Sequence, residues 1–143
     1  MKKGIKKIYI GCALVSKNYE KDYLKPIKDL FQELRDRGFE VLEFKSFDDP
    51  NLSINEEIYR HDINCVENAD AMLAICDHFS TGLGYELGIA IEKRGIPVLA
   101  TAHENAVVSK LIQGISRPKF KFIRYQNFEE ISKIFSEFIS SFK

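Results

Sequence analysis

Excess charge of either sign is missing from this 143-residue chain: 21 Lys plus Arg balance 21 Asp plus Glu. Nucleic acid polymers and anionic membrane surfaces select a basic excess, so neither is expected as a partner. Cysteine is scarce, and Cys12, Cys65 and Cys76 have no C-x-x-C spacing. An odd, scattered set of this kind reads as reduced thiols in a cytoplasmic protein. His61, His78 and His103 also lack metal-ligand spacing, so no metal and no other cofactor is expected. No G-x-x-x-x-G-K-S/T run is present, which excludes a P-loop, and Ser80 has no G-x-S-x-G elbow around it. Lys6, Lys7 and Lys17 interrupt the apolar segment after Met1, so neither an export signal nor a membrane span is read there. Repeats, low-complexity runs and linkers are absent as well. Residues 1–143 are expected to form one domain, long enough to bury a core without disulfides.

What is present is alternation. Ile5–Cys12 reads as a strand, with Ile8, Tyr9 and Ile10 consecutive, as in a parallel strand buried on both faces. Tyr19–Arg37 is amphipathic, with Tyr23, Ile27, Leu30, Phe31 and Leu34 three or four residues apart, and Gly38 ends it. Phe39–Phe44 is a second strand and Asp48–Asn51 a turn. Ser53 and Glu56 spell a capping box for a helix reaching about Asn68.

The stretch Ala69–Thr101 then supplies strand, polar loop, glycines, helix and strand. Helical patterns at His103–Gly114 and Phe128–Phe142 flank a strand at Lys119–Tyr125. The expected fold is α/β: a doubly wound, Rossmann-like or flavodoxin-like sandwich on a five-stranded parallel sheet. Its ligand site belongs beyond the carboxyl ends of the strands.

Two carboxylates near those ends draw notice. Tyr59, Asp62, Ile63 and Val66 share one face of a helix, three of them apolar. Burying an unpaired charge in such a stripe costs several kcal/mol, roughly. Asp62 therefore either caps a neighbouring loop, pairs with a lysine, or faces a cleft with a raised pKa suited to donating a proton. Glu86 follows Gly82 and Gly84 and is expected in the first turn of a helix, where the dipole favours an ionised carboxylate. Capping explains a lone Glu there. An ionised carboxylate facing a proton-donating one is the pairing that cleaves glycosidic bonds. Asp70 reads as a turn-former. Ser80 and Thr81 either cap the loop or, with the amides after them, hold a phosphate or sugar hydroxyl.

Together, Tyr59-Arg60-His61-Asp62, Ala69-Asp70 and Ser80-Thr81-Gly82-Leu83-Gly84-Tyr85-Glu86-Leu87-Gly88 resemble the nucleoside 2-deoxyribosyltransferase superfamily, closest to its 2'-deoxynucleoside 5'-phosphate N-hydrolase branch. The likeness continues through Val108–Gly114 and Phe120–Phe128. It implies Glu86 as the nucleophile at the anomeric carbon of a deoxyribose and Asp62 as the group that protonates the base and later activates water. It also implies Tyr9 in the sugar pocket, Gly11 at the end of the first strand, and Ser80 with Gly82 and Gly84 in a phosphate-binding turn. Ser109 would reach the phosphate of the neighbouring subunit in a homodimer.

This chain departs from the branch in its first loop. Where a serine and an arginine would bind the 5'-phosphate it reads Gly11-Cys12-Ala13-Leu14-Val15, with Ser16 and Lys17 just beyond as substitutes. The implied activity is hydrolysis of 2'-deoxynucleoside 5'-monophosphates. Base exchange between deoxynucleosides is the alternative, and a nucleotide-binding module without turnover the second.

Overall fold

Five strands, β1 (Lys7–Cys12), β2 (Glu40–Leu42), β3 (Ala71–Ile75), β4 (Val98–His103) and β5 (Phe120–Tyr125), pair in parallel in the order β2-β1-β3-β4-β5. This is the flavodoxin-like order, and the chain reverses direction across the sheet between β1 and β3. The computed structural model describes residues 4–13, 20–45 and 54–142. Ser16 and Lys17, the expected turn at Asp48–Asn51 and Ser53, expected to open a capping box, lie outside them. The helix that follows starts at Asn55 with Ile54, not Ser53, as its N-cap and no side-chain cap.

The helices α1 (Glu20–Asp36), α2 (Asn55–Asn68), α3 (Thr81–Gly88), α4 (Lys110–Gln113) and α5 (Ile131–Ser140) complete the layers. α1 packs on α5, whereas α2 packs on the six-residue π-helical continuation of α3, Ile89–Arg94. The central strand β3, AMLAI, is buried at every position, because helices cover both its faces. Gly95, at φ 62°, closes the π-helical segment in the left-handed conformation that glycine adopts without a Cβ penalty.

Polar side chains pin the strand ends. Asp70 accepts from the backbone N–H groups of Lys6 (2.9 Å) and Lys7 (2.8 Å), which fixes the start of β1 against β3. Asp77 accepts from the His103 N–H (2.7 Å) and the Tyr125 hydroxyl (2.5 Å), linking the ends of β3, β4 and β5. Behind α2, Lys93 meets Glu67 at 2.8 Å, and the Arg94 guanidinium donates to the Ala69 carbonyl at 3.3 and 3.4 Å.

One expected helix is mostly absent. Residues 103–109 are the end of β4 and a loop, and only α4 is helical within the expected span His103–Gly114. The Arg124 guanidinium takes the carbonyls of His103, Glu104 and Ala106 (2.9, 3.4 and 2.9 Å), so these acceptors serve a side chain instead of a helical ladder. Val108 is buried as the apolar pattern suggests, yet Val107 and Leu111 are exposed. At the start of α2, Glu56 pairs with Arg60 one turn further on.

Candidate active site

The face of α2 that carries Asp62 and the first turns of α3 enclose a cavity of about 370 Å³ at the carboxyl end of β1, next to the point where the sheet reverses. Tyr9, Asp62, Ser80, Gly82 and Glu86 all line it. Its other walls are Cys12, Phe44, Asn55, Ile58, Tyr59, Ile63 and Leu83. The apolar stripe of α2 thus runs from the core at Val66 outward, and Asp62 sits where that stripe meets the cleft.

Glu86 is the buried carboxylate of the site, 9% exposed. The Tyr9 hydroxyl donates to its Oε2. Burial pushes the Glu86 carboxyl from 4.5 to about 7; the Tyr9 hydrogen bond opposes this rise, and the charge of Asp62 adds to it. The first-turn expectation needs correction. Ser80 is the N-cap, its Oγ accepting from the Leu83 N–H at 3.1 Å, and α3 starts at Thr81. Gly82 and Gly84 therefore lie inside the helix, and Glu86 occupies its second turn, beyond the free N–H groups. Desolvation dominates where the helix dipole was expected to.

Asp62 is half-buried and faces the same cavity. Its Oδ1 accepts from the Lys45 N–H at 2.9 Å, so it caps the segment after β2 and also lines the cleft. Burial raises its pKa; the Lys45 hydrogen bond and nearby His61 lower it by less. Two carboxyls with raised pKa values thus share one cavity, and the charge of Asp62 adds to the rise at Glu86, so the two sites are electrostatically linked. Cys12 is no rival nucleophile, since burial and then the charges of Glu86 and Asp77 keep its thiol protonated.

A scan of protein-family models matches residues 8–130 to the nucleoside 2-deoxyribosyltransferase model. The chain belongs to the nucleoside 2-deoxyribosyltransferase family. Two relatives resemble it along most of its length. A Thermofilum pendens protein provisionally named 2'-deoxynucleoside 5'-phosphate N-hydrolase 1 is 30% identical over 131 residues, 87% of this chain and 88% of its own. A Methanosarcina barkeri protein of the same provisional name is 34% identical over 116 residues, 77% of this chain and 72% of its own. Among solved structures, the Clostridium botulinum CMP N-glycosidase BcmB shares the fold, with a TM-score of 0.69 over 92% of this chain and 99% of that one at 20% identity.

Other residues implied by the deoxyribosyltransferase resemblance fall around the cavity in different ways. Gly11 lies behind Glu86. A Cβ there would stand 2.8 Å from Leu83 Cδ1, 3.1 Å from Met72 Cε and 3.4 Å from Glu86 Oε1. Gly11→Ala is thus expected to push α3 outward, lowering kcat about tenfold and stability by roughly 1–3 kcal/mol. Unchanged kcat and melting midpoint would show that Leu83 simply yields. Gly84 and Ser109 line a separate cavity of about 90 Å³ that also borders Ser80. Ser109 is exposed there and caps α4, accepting from the Leu111 N–H at 3.2 Å.

The sequence reading missed the Tyr9–Glu86 hydrogen bond and the cavity walls Phe44, Asn55 and Ile58. Asn55 and Ile58 stand seven and four residues before Asp62 on its own helical face, a spacing that would have exposed them. Among the described residues no group of three or more His, Cys, Asp or Glu could hold a metal ion, and no helix is long and apolar enough to cross a membrane.

Proposed function

We propose that the chain hydrolyses the N-glycosidic bond of 2'-deoxynucleoside 5'-monophosphates, giving a free base and deoxyribose 5-phosphate. The observation that carries this reading is the convergence of Glu86 and Asp62 on one cavity, with the Tyr9 hydroxyl on Glu86. The names of the Thermofilum and Methanosarcina relatives support the substrate class.

In the first step a Glu86 oxygen attacks the anomeric carbon and the carbon–nitrogen bond breaks. Its electron pair leaves with the base, which takes a proton from Asp62. Deoxyribose lacks a 2'-hydroxyl, so positive charge develops easily at that carbon, and the adjacent carboxylate stabilises it. In the second step Asp62, now ionised, takes a proton from water, and the resulting hydroxide displaces Glu86 from the sugar. The Tyr9 hydrogen bond favours the ionised form of Glu86 and fixes Oε2, which orients the carboxylate. No cofactor enters this scheme.

Ser80 on the cavity, Ser16 and Lys17 of the first loop, and Ser109 of a second subunit are the phosphate ligands in this proposal. A homodimer suits the exposed apolar residues near Ser109, namely Phe79, Val107 and Leu111. A one-subunit mass in sedimentation at working concentration removes the dimer. The free thiols of Cys12, Cys65 and Cys76 suit a reducing compartment, and cell fractionation tests a cytoplasmic location.

Chromatography after incubation with dGMP, and separately with deoxyguanosine, each with and without adenine, tests the reaction. Free guanine from dGMP alone is the expected result. Deoxyadenosine formed only when adenine is present would make the protein a base-exchanging transferase instead. Absence of any product from folded protein would sink both enzymatic readings.

A further inference from the structure

Two large aromatic side chains stand half in water at the rim of the cavity. Tyr59 is 53% exposed and Tyr85 54% exposed, with ring centroids 6.3 Å apart and planes tilted by 48°. Tyr59 lines the cavity; Tyr85 stands outside it, against Tyr59. Such rings gain little from the fold itself, since neither is buried in the core.

Position gives Tyr59 a use. It lies three residues before Asp62 on the same face of α2, about 4.5 Å away along the helix axis. Along the cavity lining Tyr9 and Glu86 are buried, Asp62 is half-buried and Tyr59 is more than half exposed, so a sugar held at Glu86 has its open side toward Asp62 and Tyr59. A base close enough to Asp62 to take its proton lies beside the Tyr59 ring. Tyr85 blocks one of the directions in which that ring could turn away, leaving less motion to freeze when a base stacks on it.

We propose that Tyr59, backed by Tyr85, is the stacking platform for the departing base, an assignment that rests on the N-glycosidase reading above. Stacking on an aromatic side chain grows with the overlapped area and tolerates any base, because every base presents a π-face. The platform holds the base equally before and during bond cleavage, so it acts on KM and leaves kcat nearly unchanged. Its loss therefore weakens purine nucleotides more than pyrimidine nucleotides.

Steady-state kinetics on dGMP and dCMP with Tyr59→Ala and Tyr59→Phe test this. Tyr59→Ala should raise KM about tenfold for dGMP and about threefold for dCMP, with kcat within threefold of the parent. Tyr59→Phe keeps the ring and should stay within twofold on both. Unchanged KM in Tyr59→Ala, or a fall in kcat with KM unchanged, overturns the platform. So does dissociation of a dimer by Tyr59→Ala, seen by size-exclusion chromatography, with nucleotide affinity unaltered. Equilibrium binding of dGMP to Glu86→Gln, with and without Tyr59→Ala, separates this inference from the reaction itself. The same tenfold loss supports the platform even if the parent protein turns over no nucleotide, and equal affinities overturn it whatever the reaction proves to be.

Discussion

Glu86→Gln should abolish release of free base and, at pH 8, make the protein more stable. The glutamine keeps an oxygen to accept from the Tyr9 hydroxyl but cannot form the bond to the anomeric carbon. Turnover should fall by roughly 10³-fold or more, the scale on which loss of a nucleophile acts in hydrolases. The stability gain follows from the raised carboxyl, which moves from 4.5 to about 7 on folding, mainly by burial. A carboxyl whose folded pKa lies above its unfolded value favours the fold fully below the unfolded value, and that contribution disappears as pH rises through the folded one. Wild-type protein at pH 8 therefore carries an ionised, desolvated carboxylate at a cost of about 3 kcal/mol, which glutamine removes. Melting curves should show a gain of several degrees at pH 8 and none below about pH 4.5. Equal midpoints at pH 8 would mean that Glu86 is not held in a desolvated site. In wild-type protein the same ionisation gives kcat/KM an acid limb that rises through about pH 7.

The second large effect is at Asp62. Asp62→Asn keeps an oxygen for the Lys45 N–H, so the segment after β2 holds its place, but the proton for the leaving base is gone. General acid catalysis of this kind contributes about 10²–10⁴-fold, and dGMP hydrolysis should fall by that amount. A 2-deoxyribosyl 5-phosphate carrying a leaving group that needs no proton, such as a nitrophenolate, should be cleaved by the variant at a rate much nearer the wild type. Parallel losses on both substrates would assign Asp62 a structural role only. Since burial raises the pKa of Asp62, the acid form persists to higher pH than in an ordinary aspartate, which extends the active range on its alkaline side.

Much of this arrangement was legible in the residues. The apolar runs at Ile8–Ile10 and Ala71–Ile75 marked strands covered on both faces, and helical spacing put Asp62 at the end of an apolar stripe. The segment after β4 was not legible. Its apolar residues keep helical intervals, but Arg124, distant in sequence, claims the carbonyls that a helix would use. Glu86 was misplaced within its helix because glycines read locally as a turn. Ser80 supplies an N-cap strong enough to start α3 before them, and Gly82 and Gly84 follow as helical residues. The Tyr9–Glu86 bond joins groups 77 residues apart, and no local pattern carries such a pairing.

The contacts behind α2 give the cleft one fastened end. Lys93 and Arg94 grip Glu67 and the Ala69 carbonyl where α2 finishes, whereas the opposite end of α2, at Asn55, borders the mouth of the cavity. The two helices that bear Asp62 and Glu86 are thus joined like the arms of tongs. Measured from Glu67, Asp62 lies about 8 Å along the lever and Asn55 about 18 Å. A small swing of α2 about its fastened end moves Asn55 more than twice as far as Asp62. Asp62, near the fastened end, is therefore the part of the α2 wall held closest to a fixed distance from Glu86, and Asn55 the part held least.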